Sequence, residues 1–288
     1  MFDRAAPIVE ALREVRDPIA PGAATEPMLS IVTVCYRARA DLPGLLESIA
    51  RHPPPGTAPQ IVVVDNSPEP PYGVADLVPQ SSSIVYLPMP ANVGMGAGLN
   101  AGVKLTHGDG LLLVNPDLRF TGGALTAFAS LPADRPTIVG PRLLNGDGSL
   151  QLSAGRFPNL LRLVAGQLRP RATRKYEPLP VDRPQSVDWV TGACLFIPRR
   201  AFDALGGFDE RYFLYYEETD LCRRARRRGW KTVYDPRIVC EHLHPLQDRP
   251  VNPVVAGHIR DSRRLYFRTH CGPLESAALE WIDRFRGP

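Results

Sequence analysis

The chain is short of several things, and each shortage removes a class of protein. Its 288 residues hold five cysteines (Cys35, Cys194, Cys222, Cys240 and Cys271), an odd number with no Cys-x-x-Cys pair. Scattered thiols of this kind build neither a disulfide framework nor a structural zinc site, and they fit a reducing cytoplasm. No apolar run approaches the length of a membrane span, and the first residues, with Asp3 and Arg4, do not read as a secretory leader. Neither sign of charge dominates: 34 Lys and Arg against 30 Asp and Glu leave a formal +4. The arginines lack interleaved aromatics and no zinc-finger or RNA-binding signature occurs, so nucleic acid is not the expected partner. Gly-Lys-Ser/Thr is missing, which excludes a Walker phosphate loop, and no His-Glu-x-x-His exists to build a zinc protease.

What is present reads as a folded α/β chain. Hydrophobic residues at 44% and charged residues at 22% supply a core without the bias of a disordered segment. Residues 1–27 hold one short amphipathic stretch, Ile8 to Val15, among Asp17-Pro18, Pro21-Gly22 and Pro27, and read as an N-terminal extension. Strand-like runs then alternate with helical ones: Leu29 to Tyr36, a helix with Asp41 as N-cap and Pro43 in its first turn, Gln60 to Val64, Ser83 to Leu87, a Gly-rich helix from Gly94 to Thr106, and Gly110 to Val114. This order predicts a mostly parallel, Rossmann-like sheet with flanking helices, whose functional groups sit at the carboxyl ends of the strands. Further on, Ile138 to Pro141 and Val187 to Ile197 read as strands and Leu168 to Gln185 as a mobile loop. Arg199 to Leu205 and Glu217 to Arg228 read as helices, and Thr232 to Tyr234 and Ile238 to Cys240 as closing strands.

The polar groups after those strands are the chemical candidates. Asp65 has two readings: a carboxylate for a nucleotide's base or ribose, or an Asx-turn in Asp-Asn-Ser-Pro. Asn115-Pro116-Asp117 is a Pro turn or the one-carboxylate side of a Mg²⁺ site. His242 and His244 are structural residues or partners of that carboxylate. Glu217, Glu218 and Asp220 suit the first turn of a helix, and Asp220 makes an i, i+4 pair with Arg224. That does not explain the surrounding Tyr212, Phe213, Tyr215 and Tyr216, an aromatic wall fit for a sugar beside a general base.

Taken in order, these motifs resemble a family-2 glycosyltransferase of the GT-A fold, in its bacterial rhamnosyltransferase-like branch. The resemblance spans about residues 28–245, leaving 246–288 as a C-terminal helical tail. It rests on Ser30 to Val34, Val63-Val64-Asp65-Asn66, Asn92-Val93-Gly94 through Asn100-Ala101-Gly102, Asn115-Pro116-Asp117, and Gly192-Ala193-Cys194 through Gly207-Phe208-Asp209-Glu210 to Glu217-Glu218-Thr219-Asp220-Leu221. It implies an inverting transfer of rhamnose or a related hexose from a nucleoside-diphosphate sugar to a hydroxyl of a cell-envelope glycan or polyprenyl-linked acceptor. By the same resemblance Thr33, Asp65, Asn92, Gly94, Asn100, Asn115 and Asp117 bind the nucleotide sugar. Asp117 and His242 hold Mg²⁺ or Mn²⁺; Trp189, Gly192 and Ala193 line the acceptor side. Glu218 stands where the family has its catalytic base, with Glu217 as rival. The Arg169 to Lys175 stretch is expected over the diphosphate or an anionic carrier. The tail suits a peripheral membrane contact at the inner face of the plasma membrane, or a homodimer contact. Asn115 replaces the first acid of the family's D-x-D motif, and Glu218 lengthens the usual Asp by one methylene. Rival readings are a catalytically inactive nucleotide-sugar binding module and a sugar nucleotidyltransferase; the latter lacks its Gly-rich basic loop after the first strand.

Overall fold

A computed structural model describes residues 29–56, 58–166, 168, 170, 174–180, 182–245 and 251–285. The helix expected over Ile8 to Val15 lies outside them. Strands β1 (Leu29–Cys35), β2 (Gln60–Asp65) and β4 (Gly110–Val114) are buried at every position. With β3 (Ile84–Pro88) they form a parallel quartet in the order β3-β2-β1-β4. Alternate residues feed two cores: Val32, Val34, Val62 and Val64 on one face, Ile31, Cys35, Ile61 and Val63 on the other. Helix α1 (Leu42–Arg51) covers the second face with Leu42, Leu45 and Ile49, and α2 (Met95–Val103) the first with Leu99 and Val103. A methyl at Gly102 would lie 2.5 Å from Cγ1 of Val32, so α2 rests on the sheet at a distance that only glycine permits.

The sheet continues through β11 (Cys194–Pro198), β6 (Thr137–Leu144), β12 (Lys231–His242) and β5 (Leu118–Phe120), mixing antiparallel pairs with the parallel pair β6–β12. Short strands β7 (Leu150–Gln151) and β9 (Gln185–Val187) join its margin, while β8 (Ala154–Gly155) and β10 (Trp189–Val190) form a separate ribbon. The remaining helices are α3 (Ala124–Ala129), α4 (Leu160–Gly166), α5 (Arg199–Leu205), α6 (Glu217–Arg227), α7 (Pro253–His270) and α8 (Pro273–Phe285).

Several local expectations change. The single strand expected over Val187 to Ile197 is three strands: after β9 the chain leaves the main sheet, with Asp188 N on the Gly155 carbonyl at 3.2 Å and Thr191 N on the Ser153 carbonyl at 2.8 Å, so that β10 pairs with β8 before β11 rejoins the ladder. The two closing strands are one, β12, whose register shifts between Asp235 and Val239 around Pro236, a residue with no N–H to give. Asp41 holds the N-cap position of α1 as expected but makes no side-chain capping bond; its carboxylate meets Nε2 of His244 at 3.2 Å. In the segment expected to be a mobile loop, Tyr176 is buried with its ring 5.5 Å from that of Trp189.

The C-terminal helices are bonded into the rest. Tyr266, Phe267 and Leu279 form a buried cluster with Tyr212, and Leu160 and Leu163 of α4 pack on it. Ser262 Oγ donates to the Leu214 carbonyl at 2.9 Å, and Asp283 of α8 accepts from both Arg263 and Arg264 at 2.6 and 2.9 Å. Nε2 of His270 donates to Oδ1 of Asp220 at 2.6 Å, both side chains being buried. Replacing His270 with Leu strands one oxygen of a buried carboxylate, and we expect a loss of about 2 kcal/mol, seen as a Tm several degrees lower. Arg268→Ala, which breaks only an exposed pair with Glu280, should leave Tm close to that of the wild type.

Candidate active site

A cavity of about 1010 Å³ opens at the carboxyl ends of β1 and β4. Its wall brings together Asn115, Asp117, His242, Trp189, Gly192, Ala193, Glu217 and Glu218, eight of the residues singled out on sequence grounds. Strand register explains the assembly. Pairing of Val114 with Cys194 and the bond from Asn115 N to the Ala193 carbonyl at 3.0 Å bring the Asn-Pro-Asp turn beside Gly192. Pairing of Leu118 with His242 lets Leu243 N donate to the Asp117 carbonyl at 3.1 Å, which delivers His242 to Asp117.

Asp117 and His242 make a directed pair. Gln151, which the sequence reading did not single out, uses its amide nitrogen on Asn145 Oδ1 (2.6 Å) and the His242 carbonyl (3.2 Å). Its oxygen therefore accepts from His242 Nδ1 at 2.8 Å. That leaves Nε2 facing Asn115 Nδ2 at 3.3 Å and Asp117 Oδ1 at 3.4 Å. A lone pair and a carboxylate oxygen at this separation are satisfied by a proton or a cation between them, and a histidine oriented through its second nitrogen is usual for a metal ligand. Burial pushes the Asp117 carboxyl up, yet the hydrogen bond and charge of His242 outweigh it and hold the group below the usual carboxylate range. Among the described residues no group of three or more His, Cys, Asp or Glu forms a closed metal cage. Two protein ligands with an open side fit Mg²⁺ or Mn²⁺, which complete their shells with water and phosphate oxygens.

The acids of α6 line the same cavity. Tyr215 and Tyr216 precede the helix with φ of 66° and 70°, left-handed conformations that are strained for such side chains. The Tyr216 ring is held 5.5 Å from that of Tyr266. This sharp entry turns Glu217 and Glu218 inward, both about 6% exposed, each with Oε2 lacking a hydrogen-bond partner. They face different neighbours. A methyl at Gly96 would lie 3.6 Å from Cβ of Glu217, whereas one at Gly192 would lie 3.7 Å from Cβ of Glu218. Burial, then the charge of Glu218, raises the Glu217 carboxyl well above its ordinary range. Burial also raises Glu218, but the Lys175 ammonium draws it back. Lys175 itself sits among the rings of Tyr176, Trp189 and Tyr215 at 5.1–5.7 Å.

Five expected nucleotide-sugar residues are not on the cavity wall. Asp65 is fully buried and accepts from Ser67 N (2.9 Å), Val74 N (2.8 Å) and the Tyr86 hydroxyl (2.9 Å), so the Asx-turn reading describes it. Thr33 lies wholly inside β1 between Val63 and Val114. Asn92 accepts from Gly94 N and Asn66 Nδ2, shaping the turn into α2. Gly94 has φ of 91° and lies against the Phe213 carbonyl, which leaves no room for a side chain. Asn100 exchanges two 2.9 Å bonds with the Phe208 backbone and donates to Glu210, fastening that loop to α2. At the β1 end the wall is instead Tyr36 and Arg37. Trp189, expected to face the acceptor, is almost wholly buried and donates Nε1 to the Arg156 carbonyl at 2.9 Å.

The mostly parallel sheet with flanking helices has the architecture of the GT-A glycosyltransferases. Solved structures align over most of the chain: GalNAc-T7 with UDP, GalNAc and Mn²⁺ (TM-score 0.58, 15% identity, 92% of this chain) and the mannosyltransferase PcManGT of Pyrobaculum calidifontis with GDP-Man and Mn²⁺ (TM-score 0.52, 14% identity, 98% of this chain). The chain spans 54% of the former and 83% of the latter. The family model for glycosyl transferase family 2 matches residues 30–206. The chain belongs to glycosyl transferase family 2 and is a glycosyltransferase. Among its relatives, the N-acetylglucosaminyl-diphospho-decaprenol L-rhamnosyltransferase of Mycobacterium tuberculosis is 32% identical over 65% of this chain and 69% of its own length. The low-salt glycan biosynthesis hexosyltransferase Agl10 of Haloferax volcanii is 29% identical over 78% of this chain and 68% of its own length.

Because the Glu217 carboxyl is raised when folded, it favours the native state below the ordinary carboxylate range. That contribution is lost as pH rises through the raised value. Glu217→Gln should therefore gain stability relative to wild type as pH increases from 5 to 9. Chemical denaturation across that range checks the trend.

Proposed function

We propose that this chain transfers rhamnose or a related hexose from a nucleoside diphosphate to a hydroxyl of a lipid-linked glycan, inverting the anomeric centre. The observation that carries this reading is that Glu218, lying against Gly192, lines the same cavity as the Asp117–His242 pair. The cavity thus offers both a base for an arriving hydroxyl and ligands for a diphosphate-bound cation. The names of the mycobacterial and haloarchaeal relatives support the sugar and the lipid-linked acceptor.

In the proposed reaction Glu218 takes the proton of the acceptor hydroxyl as that oxygen bonds to the anomeric carbon. The bond from that carbon to the diphosphate breaks, and its electron pair leaves on the diphosphate oxygen. The Lys175 charge offsets part of the burial that raises the Glu218 carboxyl, which favours the ionised form a base needs. The first-turn position of both acids adds the favourable field of the helix N-terminus. Asp117 and His242 would hold Mg²⁺ or Mn²⁺, which neutralises charge on the departing diphosphate when bound. The mostly buried, unpaired thiols support action in a reducing compartment; among the described residues no helix is long and apolar enough to cross a membrane.

Screening thymidine- and uridine-diphosphate sugars by thermal shift with Mg²⁺ or Mn²⁺ identifies the donor. With that donor, Glu218→Gln should lower turnover by roughly 10²–10⁴-fold while the donor Kd stays unchanged. Wild-type turnover in E218Q would remove Glu218 from the base role.

A further inference from the structure

Helix α4 has the composition of a buried helix on an exposed rim. Its sequence, Leu160-Leu161-Arg162-Leu163-Val164-Ala165-Gly166, is apolar on all sides but for one arginine. A helix hydrophobic all round is normally enclosed by protein or lipid. Leu160 and Leu163 do pack on the Tyr266 cluster. Leu161 and Val164 stay 77% and 48% exposed, and Leu168, just beyond the helix, is 92% exposed. This outer strip borders the active-site cavity, whose wall includes both Leu161 and Arg162.

Charge at the same rim is unbalanced. Arg156 and Arg162 share the single carboxylate of Glu177, at 3.1 and 3.4 Å, so the three groups carry a net positive charge. From there the path runs inward through short contacts. The Arg156 carbonyl holds the Trp189 indole, Lys175 stands over that ring, and the Lys175 charge acts on Glu218. Apolar strip, cations and base thus follow one another from the mouth of the cavity inward.

We propose that the outer strip of α4 seats the lipid tail of the acceptor, and that Arg156 and Arg162 take the diphosphate joining that tail to its sugar. The assignment rests on the lipid-linked acceptor reading above. A long isoprenoid chain ending in a diphosphate and a hydroxyl-bearing sugar matches the strip, the cations and the base in their order. A water-soluble glycan has no use for the first of these. Leu161 and Val164 are then specificity residues for the carrier's tail, Arg162 binds the diphosphate common to every such acceptor, and none of the three takes part in the bond-making step.

The test uses the full chain and two acceptors with the same N-acetylglucosaminyl diphosphate, one on decaprenol and one on a short water-soluble alkyl chain. Thymidine-diphospho-rhamnose, or the donor found by the screen, supplies the sugar. The double variant Leu161→Gln/Val164→Gln changes exposed positions only, and circular dichroism checks its fold. We expect its kcat/KM ratio for decaprenyl over short-chain acceptor to fall at least about tenfold from wild type, the scale of two lost apolar contacts. Arg162→Gln should raise KM for both acceptors, since both carry the diphosphate. Equal loss with both acceptors in the double variant, or no loss with either, overturns the seat on α4 and leaves the transferase reading standing. Wild-type failure to use either acceptor overturns both.

Discussion

Two carboxyl groups held out of water at the start of α6 are the constraint on which the rest of the architecture depends. Neither Glu217 nor Glu218 satisfies both its oxygens, and their proximity raises Glu217 further. Such a pair persists only where its surroundings are fixed firmly enough to bear the cost. The fixing is visible one turn on. Asp220 is held by His270 from α7 and by Arg224 at 2.7 Å, and Arg224 also donates to the carbonyls of Leu205 and Gly207. Arg226 reaches the Val187 carbonyl beside β10. The helix is clamped from the tail, from the α5 loop and from the sheet margin, so its first turn keeps its strained entry.

This arrangement gives the chain two functional halves with different origins. Residues 30–206, which match the family model, carry the parallel quartet, the Asn115–Asp117 turn and Gly192. The proposed base and its clamps come from beyond that segment, on α6 and α7. His242, on the last strand, ties the halves together, because the β5–β12 register sets it against Asp117. A sheet edge and a helix from the far end of the sequence therefore line a single cavity.

The legible part of the sequence was the part written in local periodicity. β1, β2 and β4 are apolar runs buried on both faces, and the acids and arginines of α6 fall where a helix dipole favours them. The cavity residues Asn115, Asp117, His242, Gly192 and Glu218 followed strand ends and turns, whose positions such runs predict. What misled was polarity without context. Asp65, Asn92 and Asn100 carry the right groups at the right spacing, yet each spends its hydrogen bonds inside the protein, on loop backbone and on side chains such as Tyr86, Asn66 and Glu210, a use invisible until the loops are placed. Gln151 and Lys175 were missed as individuals for the opposite reason, since their roles come from contacts with residues many tens of positions away. The departure from the sheet between β9 and β11 was hidden because a β-branched residue in an apolar run gives no sign that its N–H will turn to another strand.

Glu218, facing Gly192 as the base for an arriving acceptor hydroxyl, points to a single displacement. The most direct check is the anomeric configuration of the transferred sugar, read by nuclear magnetic resonance from product made with a donor of known configuration. The account predicts inversion at the anomeric carbon. Retention would contradict it, because a retained centre requires either a covalent intermediate or front-face attack, and a carboxylate acting only as a base toward the acceptor supplies neither.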